Sequence, residues 1–409
     1  MTRKRGLIQT VGKTERPIIK SLETYHPEVA VFIVSEASLP YAEKALAAAP
    51  PRKYKILQLD DPEDMTEMYV KGRHAYRLLR EEGVEEFYAD PTGGTKVMAA
   101  GLVLALAGLK FTFIYVGGQK RDDAGRVITG YEEVRTMVDP TERFHVFEQR
   151  AFMQAWDAWR MQSAAQSLRE ILQDRDEMGE NERRYFEALL DVTEGMYEWD
   201  RFHHAAAEKY LEKALPAALA VAEKWGHQEK IRVLSTLQDE LEFLKRVRAD
   251  TQAGRPTFAV LKDLLANAKR RADAGRYDDA LARLYRAVEL LLDAHFFEKH
   301  KLHLEHPKSW PEQLQRRKDL VRRANKISGL YSKLDLAFDL SLALGETATL
   351  PQLLFGKKDK LSKLLRERHK SILAHGVQPV EEKDFTALWN FLTELGLKPA
   401  KPWPRWREP

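Results

Sequence analysis

The stretch Tyr88-Ala89-Asp90-Pro91-Thr92-Gly93-Gly94-Thr95-Lys96 has the clearest structural pattern in this chain of 409 residues. It passes from a short apolar run into a glycine-containing loop and then into a segment of helical composition. Adjacent glycines permit a tight turn and a close approach of the backbone. The threonines on either side are suited to capping the first turn of a helix. The stretch therefore predicts a strand, a loop and a helix in succession.

Similar units precede and follow this stretch. Strand-like runs are predicted at Gly6–Val11, Val29–Val34, Tyr54–Leu59, Glu86–Ala89 and Phe111–Val116. Helical segments are predicted between them, at Arg16–Thr24, Pro40–Ala49, Met65–Glu82 and Lys96–Leu109. Strands that alternate with helices and are apolar almost throughout indicate a parallel sheet covered on both faces. Residues 1–145 are therefore predicted to form a Rossmann-like α/β domain.

The loops that follow the strands are candidates for binding a phosphate group. The carboxyl ends of parallel strands are where α/β sheets bind ligands, and the start of a helix favours an anion. The candidate ligand-binding residues are Thr10, Val11, Gly12, Lys13, Ser35, Thr92, Gly93, Gly94, Thr95 and Lys96. The loop matches neither the ATPase nor the dinucleotide glycine motif, which excludes both of those classes. The alternative is a strand-to-helix turn with good capping residues and no ligand.

The rest of the chain is predicted to be helical, so that the fold class is α/β plus all-α. Helical periodicity at Ala151–Gln173, Arg183–Tyr197 and Ala205–Lys224 defines a connector over residues 146–255. A linker at Gly254-Arg255-Pro256 leads into a further helical domain, residues 256–397. The tail, residues 398–409, is rich in proline and is expected to be extended.

Arg368 and His375 form a candidate catalytic pair in this last domain. Seven residues are almost two helical turns, so both side chains would project from one face of a helix. A guanidinium that is always charged and an imidazole that titrates near neutral pH suit the cleavage of RNA phosphodiesters. His369 is the alternative proton carrier, and Lys370 could add positive potential. The pair could also be two ordinary surface residues.

Composition limits the remaining possibilities. The net charge is +4, from 66 basic and 62 acidic residues, so any contact with nucleic acid must be local. The absence of cysteine excludes disulfides and thiolate metal sites, and it is typical of a reducing compartment. The most apolar run, Val97–Leu109, has thirteen residues and is too short to span a bilayer. We expect a cytoplasmic protein with no membrane partner and, without a DNA-reading helix, no DNA partner.

Four histidines lie close together near the end of a predicted helix: His295, His300, His303 and His306. Their spacing could suit a metal, but no cysteine lies nearby. A solvated helix end that runs into Pro307 is the interpretation we favour, and we expect no metal site or cofactor.

The chain resembles the CARF–HEPN ribonucleases of type III CRISPR systems. The CARF resemblance rests on Thr10-Val11-Gly12 and on Asp90–Lys96. The HEPN resemblance rests on the Arg-x6-His spacing of Arg368 and His375 and on the segment Tyr277–Glu289. In that family the residue after the arginine is often asparagine or another polar residue, whereas here it is His369.

The resemblance implies a metal-independent endoribonuclease that cyclic oligoadenylate activates, with tetra-adenylate favoured over hexa-adenylate. It also implies a homodimer in which two HEPN domains form one composite site on single-stranded RNA. The products would carry 2′,3′-cyclic phosphate ends, with His375 as general acid or base and Arg368 stabilising the phosphoryl charge. The alternative function is a ligand-gated regulator or scaffold whose helical output domain cuts nothing.

Overall fold

The computed structural model describes residues 3–118, 120, 127–128, 130–174, 176, 178–370 and 377–406, with the backbone alone for 367–370. The chain divides into two compact units, Met1–Phe147 and Glu148–Pro409. No helix among the described residues is long and apolar enough to cross a membrane.

The first unit is built on a six-stranded sheet with the order β3-β2-β1-β4-β5-β6. The strands are β1 Arg5–Thr10, β2 Val29–Val34, β3 Lys53–Gln58, β4 Glu86–Asp90, β5 Thr112–Gly117 and β6 Glu133–Met137. The first five pair in parallel, as the sequence predicts. The sixth corrects that prediction, because β6 pairs antiparallel with β5 at the edge of the sheet.

Helices cover both faces of this sheet. They are α1 Arg16–Tyr25, α2 Leu39–Ala48, α3 Met65–Glu81 and α4 Lys96–Leu106. The short α5 Pro140–Arg143 follows β6 and buries none of its residues. Side chains of α1 and α2 share one core with Ala30, Phe32 and Val34 of β2. Side chains of α3 and α4 share the other core with Val29, Val31 and Ile33 of β2. Because alternate residues of β2 serve opposite cores, every one of its residues is buried, which explains its continuous apolar sequence.

The second unit is helical, with two hydrophobic cores. The first core comprises α6 Val146–Asp157, α7 Met161–Ile171, α8 Glu180–Asp200, α9 His204–Trp225 and α10 Gln228–Gln252. The second comprises α11 Phe258–Asp273, α12 Tyr277–His300, α13 Glu312–Gln315, α14 Lys318–Ala324, α15 Leu330–Ala343, α16 Leu350–Gly356, α17 Lys358–Lys370 and α18 Glu382–Glu394. The prediction of a single helix over Ala151–Gln173 is wrong, because α6 ends at Asp157 and α7 begins at Met161.

The tail has no regular secondary structure between residues 398 and 406, but it is anchored. Trp403 and Trp406 are buried in the core of α6–α10. The indole N–H of Trp156 donates a hydrogen bond to the carbonyl of Pro404 over 2.9 Å, and the amide of Trp406 donates to Asp157 over 2.8 Å. The end of the chain therefore completes a core that begins some 250 residues earlier.

Candidate ligand-binding site

The predicted ligand loops meet at the carboxyl edge of the sheet. β1 and β4 are neighbours, with Gln9 opposite Asp90, so the loops after Thr10 and after Asp90 emerge side by side. The strand order reverses at this point, because the chain passes from β1 to β2 on one side and from β4 to β5 on the other. Such a switch point is where open α/β sheets bind ligands.

Two glycines allow the backbones of these loops to touch. A Cβ atom on Gly93 would lie 2.7 Å from the amide nitrogen of Gly12 and closer still to the carbonyl oxygen of Thr10. A Cβ atom on Gly12 would lie 2.9 Å from the amide nitrogen of Gly94. Atoms of these types cannot approach so closely, so the contact between the loops requires glycine at both positions.

The three threonine hydroxyl groups hold the loops together. Thr10 is buried and donates a hydrogen bond to the carbonyl of Gly93 over 2.7 Å. Thr92 accepts from the amide of Val116 over 2.8 Å. Thr95 caps α4, accepting from the amide of Met98 over 3.1 Å, and donates to the carbonyl of Pro62. All three hydroxyls are thus engaged with protein atoms. The cap by Thr95 confirms the sequence prediction, whereas the bonds of Thr10 and Thr92 were not predicted.

Val11 and Ser35 complete the frame of the site. Val11 is fully buried, and its amide donates to the carbonyl of Ile33 in β2. Ser35 follows β2, and its amide donates to the hydroxyl of Ser38 over 2.9 Å. Both residues lie at the carboxyl edge of the sheet beside the β1 loop, but Val11 offers no side chain to the surface.

Lys13, Gly94 and Lys96 are the exposed members of the predicted set. Lys96 is the first residue of α4, whose first turn contains no acidic residue. The first amides of a helix have no partner inside it and carry a partial positive charge. Two exposed lysines beside these amides make the surface over the paired glycine loops receptive to an anion.

A buried polar network lies beneath the loops. Asp90 accepts hydrogen bonds from Gln9 Nε2 over 2.8 Å, from Ser21 Oγ over 2.6 Å and from the Thr92 amide over 2.9 Å. The exposed fractions of Asp90, Gln9 and Ser21 are 2%, 1% and 0%. The network therefore fixes the start of the Thr92–Lys96 loop. Gln9 and Ser21 are absent from the predicted set. A glutamine within the apolar run Leu7–Val11 does indicate a buried polar contact, and it could have identified Gln9.

The catalytic candidates are only partly described. Arg368, His369 and Lys370 belong to the last turn of α17, and their side chains are not among those that the structure describes. His375 lies outside the described residues altogether. The spacing of Arg368 and His375 on one helical face therefore stays a prediction.

The prediction that the histidine cluster is a solvated helix end is wrong for its first two members, His295 and His300. His295 is buried, and its Nε2 lies 3.0 Å from Glu346; His300 Nε2 lies 2.8 Å from the same carboxylate. Lys299 adds an ion pair at 2.6 Å. Burial opposes the charge of Glu346, but the hydrogen bonds from Lys299, His300 and His295 outweigh it and lower its pKa to about 2. Among the described residues no group of three or more histidine or acidic side chains is placed to hold a metal ion.

Two family models match the chain and together cover more than half of it. The Csm6 HEPN domain matches residues 249–397, and the Csm6 6H domain matches residues 144–241. No curated protein matches the chain.

Two solved structures are similar to this chain, the first over nearly all of it and the second over less than half. Csm6 of Enterococcus italicus, bound to cyclic hexa-2′-fluoro-hexa-dAMP, has a TM-score of 0.52 at 12% identity, over 96% of this chain and 94% of its own. Can2 of Sulfobacillus thermosulfidooxidans, in complex with cyclic tetra-adenylate, has a TM-score of 0.25 at 13% identity, over 46% and 58%. The first likeness extends over both units and concerns the fold; the second is too low to define a common fold. With its HEPN and 6H domains identified by the family models and an α/β domain before them, the chain belongs to the CARF–HEPN proteins of type III CRISPR systems.

Proposed function

We propose that this protein is an endoribonuclease of type III CRISPR antiviral defence that cyclic oligoadenylate activates. The supporting observation is that one chain contains both an anion-receptive pair of glycine loops at a sheet switch point and a HEPN domain. HEPN domains belong to a nuclease family, which favours an enzyme over a regulator or scaffold. In this proposal residues 1–145 sense the ligand, 146–255 connect, 256–397 cleave, and 398–409 form the tail.

The ring would bind over the paired loops of two subunits. Lys13 and Lys96 would contact its phosphates, and the amides near Gly12 and Gly94 would donate hydrogen bonds. A ring with even symmetry suits a homodimer, in which each subunit offers the same set of groups. Tetra-adenylate is our expectation, and hexa-adenylate is the alternative; the Enterococcus italicus structure holds a six-membered analogue.

Cleavage would use the RNA's own 2′-hydroxyl and no metal. One imidazole takes the proton of the 2′-hydroxyl as its oxygen bonds to the adjacent phosphorus. The bond from phosphorus to the 5′-oxygen breaks, and that oxygen gains a proton. His375 would transfer these protons and Arg368 would stabilise the phosphoryl oxygens, with the pairs of two subunits forming one site. His369 is the alternative to His375, and Lys370 would add positive potential.

An activation assay tests this function. The full chain is incubated with labelled single-stranded RNA and no ring, cyclic tetra-adenylate or cyclic hexa-adenylate, each with EDTA or Mg²⁺. We expect cleavage that needs a ring and withstands EDTA, with 2′,3′-cyclic phosphate ends detected by mass spectrometry. His375→Ala should lower cleavage about 10²-fold or more. His369→Ala removes the alternative proton carrier and should retain cleavage, and His227→Ala, at an exposed histidine between α9 and α10, is the matched control. No cleavage with either ring would favour the regulator, and activity retained in His375→Ala would reject the site assignment.

A further inference from the structure

A cavity of about 700 Å³ opens in the second unit, and none of the glycine loops lines it. Three segments line it: the turn between α6 and α7, the last turn of α8, and the turn between α11 and α12. The cavity thus lies where the helices of the α6–α10 core meet those of the HEPN domain, and nothing in the proposed function uses it.

Four arginines line this cavity: Arg160, Arg201, Arg271 and Arg276. Two acidic residues, Asp200 and Asp273, also line it. Asp200 is held by Arg271 and, over 3.0 Å, by Arg270, which lies outside the lining. Asp273 pairs with Lys269, which also lies outside the lining. Since both acids have cationic partners, the cavity wall keeps a positive excess.

Three of the arginines are available to a ligand. Arg160 is exposed and forms no ion pair with any residue that the structure describes. Arg201 and Arg276 are exposed, with partners Glu198 at 3.6 Å and Asp279 at 3.0 Å. Exposed pairs of this kind contribute about 1 kcal/mol or less, so they exchange readily for a phosphate, which the guanidinium fork matches better.

One partly exposed aromatic ring, that of Tyr197, lines the cavity. Arg201 stacks over the ring of Tyr197 with its Cζ 5.2 Å from the ring centre. Trp159 has a φ of 59°, a left-handed conformation that is unusual for a bulky residue and often occurs at functional sites. It is 8% exposed, with Trp403 and Arg405 packed against its ring, so it supports the wall without offering a face to stack on. Its indole N–H has no hydrogen-bond partner among the described residues. Arginines beside aromatic rings are the combination that binds single-stranded nucleic acid.

We infer that this cavity binds a phosphodiester segment of single-stranded RNA, as a substrate-holding subsite apart from the catalytic pair. The inference rests on the proposed function for the identity of the ligand. A free nucleotide would need a pocket that encloses most of its surface, whereas the three available arginines are exposed at the rim. Unstacked RNA presents phosphates and bases in succession to such a rim.

RNA binding by the full chain tests the inference, in a His375→Ala background that prevents cleavage. We compare Arg160→Ala/Arg201→Ala/Arg276→Ala with a matched triple, Arg184→Ala/Arg246→Ala/Arg316→Ala, which removes three exposed and paired arginines elsewhere. Fluorescence anisotropy of a labelled RNA is measured at several salt concentrations. The cavity triple should bind about 10-fold or more weakly, and the salt slope should fall by about 0.7 for each phosphate that the variant no longer neutralises.

Ser163→Glu is a second variant, which tests the cavity while all of its arginines are kept. Ser163 is exposed, lines the cavity and is the third residue of α7. A glutamate in the first turn of a helix is favourable, so folding is kept while a negative charge enters the cavity. RNA affinity should fall several-fold, whereas Ser163→Ala should leave it unchanged.

The outcomes separate this inference from the proposed function. If the cavity triple and the matched triple bind RNA alike, the subsite is wrong, whatever the cleavage assay shows. If AMP displaces the RNA as well as unlabelled RNA does, the cavity belongs to a nucleotide and the inference fails. If the cavity variants lose RNA binding and the unmutated protein cleaves no RNA with any ring, the subsite stands and the ribonuclease proposal falls.

Discussion

Asp90 in the first unit and Asp200 in the second are both buried carboxylates, but their partners differ in charge. Asp90 accepts hydrogen bonds from Gln9, Ser21 and the Thr92 amide, all of which are neutral. Asp200 accepts from two guanidinium groups, those of Arg270 and Arg271. The first arrangement fixes the Thr92–Lys96 loop at the carboxyl edge of the sheet, whereas the second joins α8 to α11.

The difference determines what each site can tolerate. Removing the Asp90 carboxylate leaves neutral donors unsatisfied, whereas removing the Asp200 carboxylate leaves buried cations without their anion. Glu346 belongs with Asp200, because its partners are Lys299 and two histidines. The second unit should therefore respond to the removal of a buried carboxylate more strongly than the first, and Glu346 gives it a response to acid.

The largest effect is expected from Asp200→Ala. Burial lowers the pKa of Arg270, and the charges of Asp200 and then Asp263 oppose that shift. Without Asp200 the buried guanidinium loses the ion pair that the described residues give it. The free energy of unfolding should fall by about 3–5 kcal/mol. Urea unfolding followed by tryptophan fluorescence measures it, because all eight tryptophans lie in the second unit.

Asp191→Ala is the control for this measurement. Asp191 is on the same helix, but its pair with Lys213, at 3.8 Å, lies at the surface. Its removal should change the free energy of unfolding by less than about 1 kcal/mol. Equal effects of the two variants would contradict the contrast between the two kinds of carboxylate.

The next effect concerns acid and Glu346. Its pKa is lowered from 4.5 to about 2 in the folded protein, so the unfolded chain takes up its proton first as the pH falls. The stabilisation is fully present above about pH 4.5 and is lost as the pH falls toward 2, a difference of about 3 kcal/mol. Glu346→Gln should lose this part of the acid dependence in urea unfolding across pH 2–5. Glu312→Gln, in an exposed pair, should keep it.

A smaller effect is expected from Asp90→Asn. The amide keeps one acceptor oxygen but presents N–H to one side of the network, so at least one donor loses its acceptor. This should cost about 1–2 kcal/mol locally. Hydrogen exchange measured by mass spectrometry should quicken in peptides that contain Thr92–Lys96. The exposed Glu23→Ala on α1 should leave it unchanged, and an unaltered exchange rate in Asp90→Asn would show that the network does not fix the loop.

The strands and the site loops could be predicted because their signals are local. β2 is apolar at every position, and the glycines follow β4 directly. β6 could not be found in this way, because Glu133, Arg135 and Thr136 are exposed on an edge strand and break the apolar pattern.

Other features depend on contacts between distant parts of the chain. Gln9 and Asp90 are 81 residues apart, and Trp156 and Pro404 are 248 apart. Nothing near Gln9 in the sequence indicates that a carboxylate will lie beside it. The direction of the Thr10 hydroxyl, toward the carbonyl of Gly93, could not be predicted either, because it depends on how closely the two loops approach.

The smallest predicted effect is a loss of binding free energy when Lys13 or Lys96, the exposed lysines of the candidate ligand-binding loops, is replaced. Lys13→Ala and Lys96→Ala remove charges that take no part in the buried network, so protein stability should be unchanged. The affinity for cyclic oligoadenylate, measured by calorimetry, should fall about 3–10-fold for each, as for a partly solvated charge-assisted hydrogen bond. Lys44→Ala, on the exposed face of α2, is the control. If both variants bind the ring as well as the unmutated protein does, the ring does not lie over these loops, and the buried network of Asp90 serves the fold alone.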